Sequence, residues 1–190
     1  MLVSLPSLIL AGRGGNVISF PTDTVPALAV QPEYGLKIYQ CKHRPPDKPL
    51  ILMAAESSAF TPWIAPGLTI PWEALAQSYW PGALTIVLPA SDRVTTAINP
   101  QNTGTIGLRI PNHPIALSVL QQTGILATTS ANYSGEPPLL TGEAIDEQFP
   151  HAYVFNGNDS GSGQPSTVVA WQADTWHILR SGAINLSRPR

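Results

Sequence analysis

The densest run of cations in this chain is "CKHRPPDKPL", which places Lys42, Arg44 and Lys48 close together with His43 between the first two. Three cations around Pro45 and Pro46 make a stiff, positively charged loop. Such a loop suits a polyphosphate, because arginine grips phosphate oxygens with two parallel N–H donors and lysine adds point charge. The bland reading is a solvated charged turn. The whole chain holds only ten Lys plus Arg, so this clustering carries information. A second polar concentration, "ATTSANYSGEPP", sets Thr128, Thr129, Ser130, Asn132 and Ser134 behind an apolar run. Hydroxyls and backbone N–H groups at a strand end can cradle an anion or a ligand carboxylate, although ordinary turns use the same residues. A third, "GSGQPSTVVAW", brings Ser166 and Thr167 into a strand. Arg109 in "TIGLRIPNH" lies inside a strand run and is expected to face a cleft. Arg180 ends the run in "ILRSGAI", where a lone arginine is more often a rim residue. In "SFPTDTVPALAV", Thr22, Asp23 and Thr24 crowd the mouth of an early strand.

Other chemistries find little support. His43, His113, His151 and His177 lack the spacing of a ligand set and there is no CxxC pair, so no metal-binding side chains are expected. The sequence contains no GxSxG, P-loop or GxGxxG pattern. The one cysteine, Cys41, allows no internal disulfide, which suits a reducing, cytoplasmic compartment. A free cysteine of this kind is read as buried, not as a nucleophile.

These groups need a scaffold. The chain has 190 residues, enough for a single domain over 1–190 with one sizeable core. Hydrophobic residues make up 43% and charged residues 12%, against about 25% charged in an ordinary chain. Net charge is −2, which argues against a whole-surface grip on nucleic acid. The apolar N-terminus is too short to span a membrane and lacks a signal-peptide pattern, so it is read as a first helix. Strands are expected at 17–20, 50–54, 84–88, 105–110, 125–128, 154–155, 167–171 and 176–180. Helices are expected at 4–11, 33–41, 57–63, 72–78, 114–122 and 142–149. The alternation implies α/β: a twisted mixed sheet with flanking helices. Residues 156–164, "NGNDSGSGQ", form the loosest stretch and are expected to be a mobile loop.

Seven segments, in order, resemble one family. "FPTDTV", "KHRPPDKPL", "WPGALTIVLPA", "GLRIPNHPIA", "TSANYSGEPP", "PSTVV" and "LRSGAI" match the signatures of the YrdC-like threonylcarbamoyl-AMP synthases from about residue 17 to 184. The match is to the short, single-domain form. The resemblance implies a YrdC/RibB-like α/β sheet around a concave, partly positive cavity. It implies condensation of L-threonine, bicarbonate and ATP, with Mg²⁺ on the phosphates and pyrophosphate released. The product would pass to downstream tRNA-modification proteins acting on adenosine 37.

By the same resemblance, Lys42 and Arg44 are the catalytic cations. Arg44, Lys48, Thr105, Ser130, Asn132 and Arg180 hold ATP. Thr24, Arg109, Thr128 and Ser166 hold threonine, Arg109 as a fork on its carboxylate. Asp23 orients its loop or helps hold a metal. The chain departs from the family at Pro26-Ala27, where Tyr-Gly or Phe-Gly is usual, so an aromatic wall of the pocket is expected to be missing. Smaller departures are Ala83, Ser181 and Met53. The competing reading is a non-catalytic or regulatory paralogue that binds nucleotide or, weakly, double-stranded RNA. A third is a related carbamoyl-transfer or acyl-adenylate activity.

Overall fold

The computed structural model describes residues 1–157 and 161–186. Its frame is one mixed sheet of ten strands: β1 (Leu2–Val3), β2 (Ile18–Phe20), β3 (Ala27–Val30), β4 (Ile51–Met53), β5 (Leu84–Pro89), β6 (Thr105–Arg109), β7 (Leu126–Ser130), β8 (Tyr153–Phe155), β9 (Thr167–Gln172) and β10 (Thr175–Arg180). Their order across the sheet is β1-β8-β2-β3-β7-β4-β6-β5-β9-β10. The helices are α1 (Leu5–Arg13), α2 (Leu36–Lys42), α3 (Trp72–Tyr79), α4 (Pro114–Thr123) and α5 (Gly142–Gln148). Among the described residues no helix is long and apolar enough to cross a membrane.

Side chains alternate across a strand, so each strand sends one set to either face. On one face Leu50, Leu52, Leu84, Ile86, Leu88, Ile106, Leu108 and Val169 build the largest apolar cluster, packed with Phe60, Trp63, Trp72 and Tyr79. The intervening residues, Ile51, Met53, Thr85, Val87, Thr105, Gly107, Arg109, Thr128, Ser130 and Val168, line a cavity on the other face. Further along, α1 and α4 pack Leu8, Ile9, Ala116, Val119 and Leu120 against Ile18 and Phe20.

The expected strands and helices are present, with instructive differences. The segment 33–41 is a 3₁₀ turn, Pro32–Tyr34, followed by α2. A Cβ on Gly35 would lie 2.1 Å from the carbonyl oxygen of Ala97, so glycine is required where the chain turns there. Residues 57–63 are 3₁₀, with Pro62 inside, where the missing N–H disfavours an α-helical ladder. Two strands were not foreseen. β1 has two residues and pairs in parallel with β8, too short to carry a pattern. β3 is buried at all four positions and pairs with both β2 and β7, so it shows no alternation to read. Pro26, which cannot donate a ladder hydrogen bond, stands just ahead of it. The expected mobile loop at 156–164 falls partly on 158–160, outside the described residues. The described end is anchored: Ser162 N–H donates to Asp23 O at 3.1 Å and Gly163 N–H to Thr24 O at 2.9 Å.

Candidate active site

The cavity has a volume of about 830 Å³. Its lining includes every site residue expected from the sequence: Thr24, Lys42, Arg44, Lys48, Thr105, Arg109, Thr128, Ser130, Asn132, Ser166 and Arg180. They arrive from strands β6, β7 and β10, the end of α2, the loops before β3, β4 and β9, and the loop after β7.

Two polar loops form one wall. α2 ends at Lys42, and His43 turns the chain through a left-handed conformation, φ 48°. Lys42 then runs beneath the neighbouring loop and is only 2% exposed. Its ammonium donates to Ser130 O, to Thr129 Oγ1 at 3.2 Å and to Ser130 Oγ at 3.3 Å. Lys48 Nζ donates to Ser134 Oγ at 3.3 Å, and His43 meets the Tyr133 ring at 5.9 Å. Arg44 is pinned by its own loop, donating to Lys48 O at 2.8 Å and Pro49 O at 2.9 Å. Burial, reinforced by Arg44 and Lys48, pulls the Lys42 ammonium down to about 7. Burial also lowers Arg44, while Tyr39 and Asp47 partly restore it. These cations hold one another at a cost that a bound polyanion would relieve.

Elsewhere in the lining Arg109, 3% exposed, makes three hydrogen bonds. Nε donates to Gly82 O at 3.1 Å, Nη1 to Thr24 Oγ1 at 2.8 Å and Nη2 to Asp23 Oδ1 at 2.6 Å. Of the five guanidinium N–H donors, two remain for a ligand. Burial lowers the Arg109 pKa and Asp23 raises it. Asp23 also accepts from Asn112 N–H at 3.1 Å. Asp23 therefore orients its turn and the arginine, and the described residues contain no cluster of three metal-ligating side chains.

Thr22 answers for the polar crowd beside β2. Its hydroxyl donates to Val25 O at 2.8 Å and its oxygen accepts from Thr24 N–H at 3.1 Å. The 3.0 Å contact between the two threonine hydroxyls must then have Thr24 as donor, because the Thr22 proton is spent. Thr24 Oγ1 also accepts from Arg109, so its remaining capacity is that of an acceptor.

Asn132 ties its loop by donating to Tyr133 O at 2.9 Å and Glu136 O at 2.6 Å. Its Oδ1 is buried with no donor among the described residues. Arg180 is not a detached rim residue: Nη2 donates to Ser166 O at 2.9 Å and Ser166 Oγ at 3.3 Å. At the departure from the family pattern, Pro26 lines the cavity. Ala27 lies in β3, paired with Phe20 and Ser130, and has no positive φ, so no glycine conformation is demanded there.

Thr85 and Gly107, not among the expected site residues, are also in the lining. Thr85 carried a signal, as the lone hydroxyl in the apolar run Leu84–Leu88. Gly107 did too, since glycine within a strand marks close approach: a Cβ there would lie 2.8 Å from Ile51 Cγ2 and 3.3 Å from Thr85 Cγ2.

Fold and site define an α/β protein whose open sheet face carries a cation-walled, hydroxyl-lined cavity. Residues 11–182 match the Sua5/YciO/YrdC family model, described as "Telomere recombination", and the chain belongs to that family. It is 35% identical to the threonylcarbamoyl-AMP synthase of Vibrio campbellii over 92% of this chain and 97% of that protein. It is also 35% identical to the threonylcarbamoyl-AMP synthase of Bacillus subtilis, covering 90% of this chain but only 51% of that longer protein. The structure of P. abyssi Sua5 complexed with L-threonine superposes with a TM-score of 0.87 at 30% identity, over 98% of this chain and 57% of that one. E. coli YciO shares the fold, with a TM-score of 0.81.

Proposed function

We propose that this chain is a threonylcarbamoyl-AMP synthase, a nucleotidyltransferase using L-threonine, bicarbonate and ATP. The observation that carries the reading is the convergence of Lys42, Arg44, Lys48, Arg109 and Arg180 on one cavity. Among the described residues, Arg109 is the one of these five with a carboxylate within 4.0 Å. The other four have no carboxylate that close, and Lys42 among them is only partly protonated near neutral pH.

The chemistry needs this arrangement and no protein nucleophile. The threonine amine condenses with bicarbonate to give a carbamate and water. A carbamate oxygen attacks the α-phosphorus, and the bond to the departing pyrophosphate breaks. Two anionic reactants must be held together, so positioning and charge cancellation do the catalysis. Lys42, Arg44, Lys48 and Arg180 face the polyphosphate, with Thr105, Ser130 and Asn132 beside it. Arg109, Thr24, Thr128 and Ser166 form the amino-acid end. Arg109 is neutralised by Asp23, so it recognises the carboxylate through its two remaining donors more than through net charge. Asp47 and Glu136 are the lining carboxylates. That sparse set fits a Mg²⁺ held mainly by the phosphates, where it would neutralise charge on the leaving group. The product then passes to downstream tRNA-modification proteins.

The test is pyrophosphate release from purified protein given ATP, bicarbonate and labelled threonine. Release that depends on all three is expected. ATP binding with no release would favour the non-catalytic reading, and release with a different amino acid would favour another adenylate.

A further inference from the structure

Thr85, on β5, is 1% exposed and lies beneath Ser166, which is 4% exposed. Their hydroxyl oxygens are 2.8 Å apart. Ser166 Oγ also has Nη2 of Arg180 at 3.3 Å. A guanidinium donates and never accepts, so Ser166 Oγ is the acceptor in that contact. The direction of the remaining bond follows from where the protons can go. If Ser166 donated to Thr85, the buried Thr85 proton would have no acceptor, because Ser166 is its one side-chain hydrogen-bond partner among the described residues. If Thr85 donates to Ser166, its proton is satisfied and the Ser166 proton is free to point into the cavity that both residues line.

The geometry points to Thr85 as a positioning residue that donates to Ser166 and so makes Ser166 a proton donor toward the ligand. Ser166 then selects an acceptor oxygen, such as a carboxylate oxygen. Thr24 has the opposite polarity, since its proton is spent on Thr22. The amino-acid end of the cavity thus offers one built-in donor and one built-in acceptor. Each is set by a buried threonine behind it. A ligand carrying both an N–H or O–H donor and an anionic oxygen matches this pair. The inference rests on the reading of this end as the threonine subsite.

A double-mutant cycle tests it. L-threonine affinity is measured by calorimetry for the unaltered protein, Thr85→Val, Ser166→Ala and the double variant. Each single change is expected to weaken threonine about tenfold, the worth of one hydrogen bond. The double variant should be no weaker than Ser166→Ala alone, and Thr85→Ser should restore affinity. Additive losses, an unaffected Thr85→Val or no rescue by serine would overturn the role. If the unaltered protein binds no threonine, it is the synthase reading that fails. Hydroxyl-proton exchange measured by NMR in the ligand-free protein then still decides the polarity. A slowly exchanging Thr85 hydroxyl and a fast Ser166 hydroxyl are expected, and the reverse order would sink the proposal.

Discussion

Nη2 of Arg109 lies 2.6 Å from Oδ1 of Asp23, joining β6 to the turn between β2 and β3 through a bond between side chains that are 4% and 16% exposed. This pair explains why an arginine can end a strand inside the protein. Its charge is met by a carboxylate, and its other donors meet Thr24 and Gly82.

Removing the carboxylate should therefore be costly. Asp23→Ala leaves a buried, uncompensated guanidinium. The expected loss is about 3 kcal/mol, or roughly 10 °C in Tm for a domain of this size. Thermal unfolding followed by circular dichroism measures it, and a fall of less than about 2 °C would show the pair to be incidental.

Arg44 binds its own loop through two backbone carbonyls while facing the cavity. Arg44→Ala should weaken ATP at least tenfold, the scale of one charge-assisted hydrogen bond. Arg44→Lys should recover little, because an ammonium cannot span Lys48 O, Pro49 O and a phosphate as a planar fork does. Nucleotide titration decides, and unchanged affinity in the alanine variant would remove Arg44 from the phosphate site.

Lys42 makes nucleotide binding pH-dependent. Its folded pKa, about 7, lies below the ordinary 10.5. Between those values the unfolded chain holds a proton that the folded chain has lost. The burial penalty on ligand-free protein is thus fully present below about pH 7 and fades as pH rises toward 10.5. A bound polyphosphate raises the pKa again. At about pH 8 ATP binding should take up close to one proton, and affinity should fall as pH rises further. Calorimetry in two buffers of different ionisation enthalpy gives the proton count, and Lys42→Met should abolish the uptake.

Residues 161–163 lie directly on the Thr22–Thr24 turn. A Cβ on Gly161 would be 2.2 Å from Thr22 O and 2.6 Å from Thr24 N. Backbone cannot yield as a side-chain tip can, so Gly161→Ala should push this segment off the turn. Threonine affinity should drop several-fold, on the order of 1 kcal/mol, with ATP affinity unchanged. Equal losses for both ligands would indicate general unfolding.

Much of this molecule is readable from the chain itself. The cation run from Lys42 to Lys48, the hydroxyl run from Thr128 to Ser134 and the apolar runs of β5 and β6 are local patterns. They rest on side-chain chemistry and a two-residue period, both of which survive without any partner. Their order along the chain was enough to mark a family resemblance and to name eleven of the residues that line the cavity. β3 stayed hidden because a strand buried on both faces has no alternation.

The tertiary structure decided how those side chains share their protons and charges. Nothing near Arg109 in sequence announces Asp23, and nothing near Ser166 announces Thr85. The second pairing arises where β5 and β9 become neighbours in the sheet, and the first where the turn between β2 and β3 meets the end of β6, a strand that is not its sheet neighbour. The depressed Lys42 pKa has the same origin, since it comes from burial beneath a loop nearly ninety residues away. Residue type sets what a group can donate or accept. Only packing sets which of those capacities remains for a ligand, because hydrogen bonds and desolvation act over a few ångströms of space, whatever the separation along the chain.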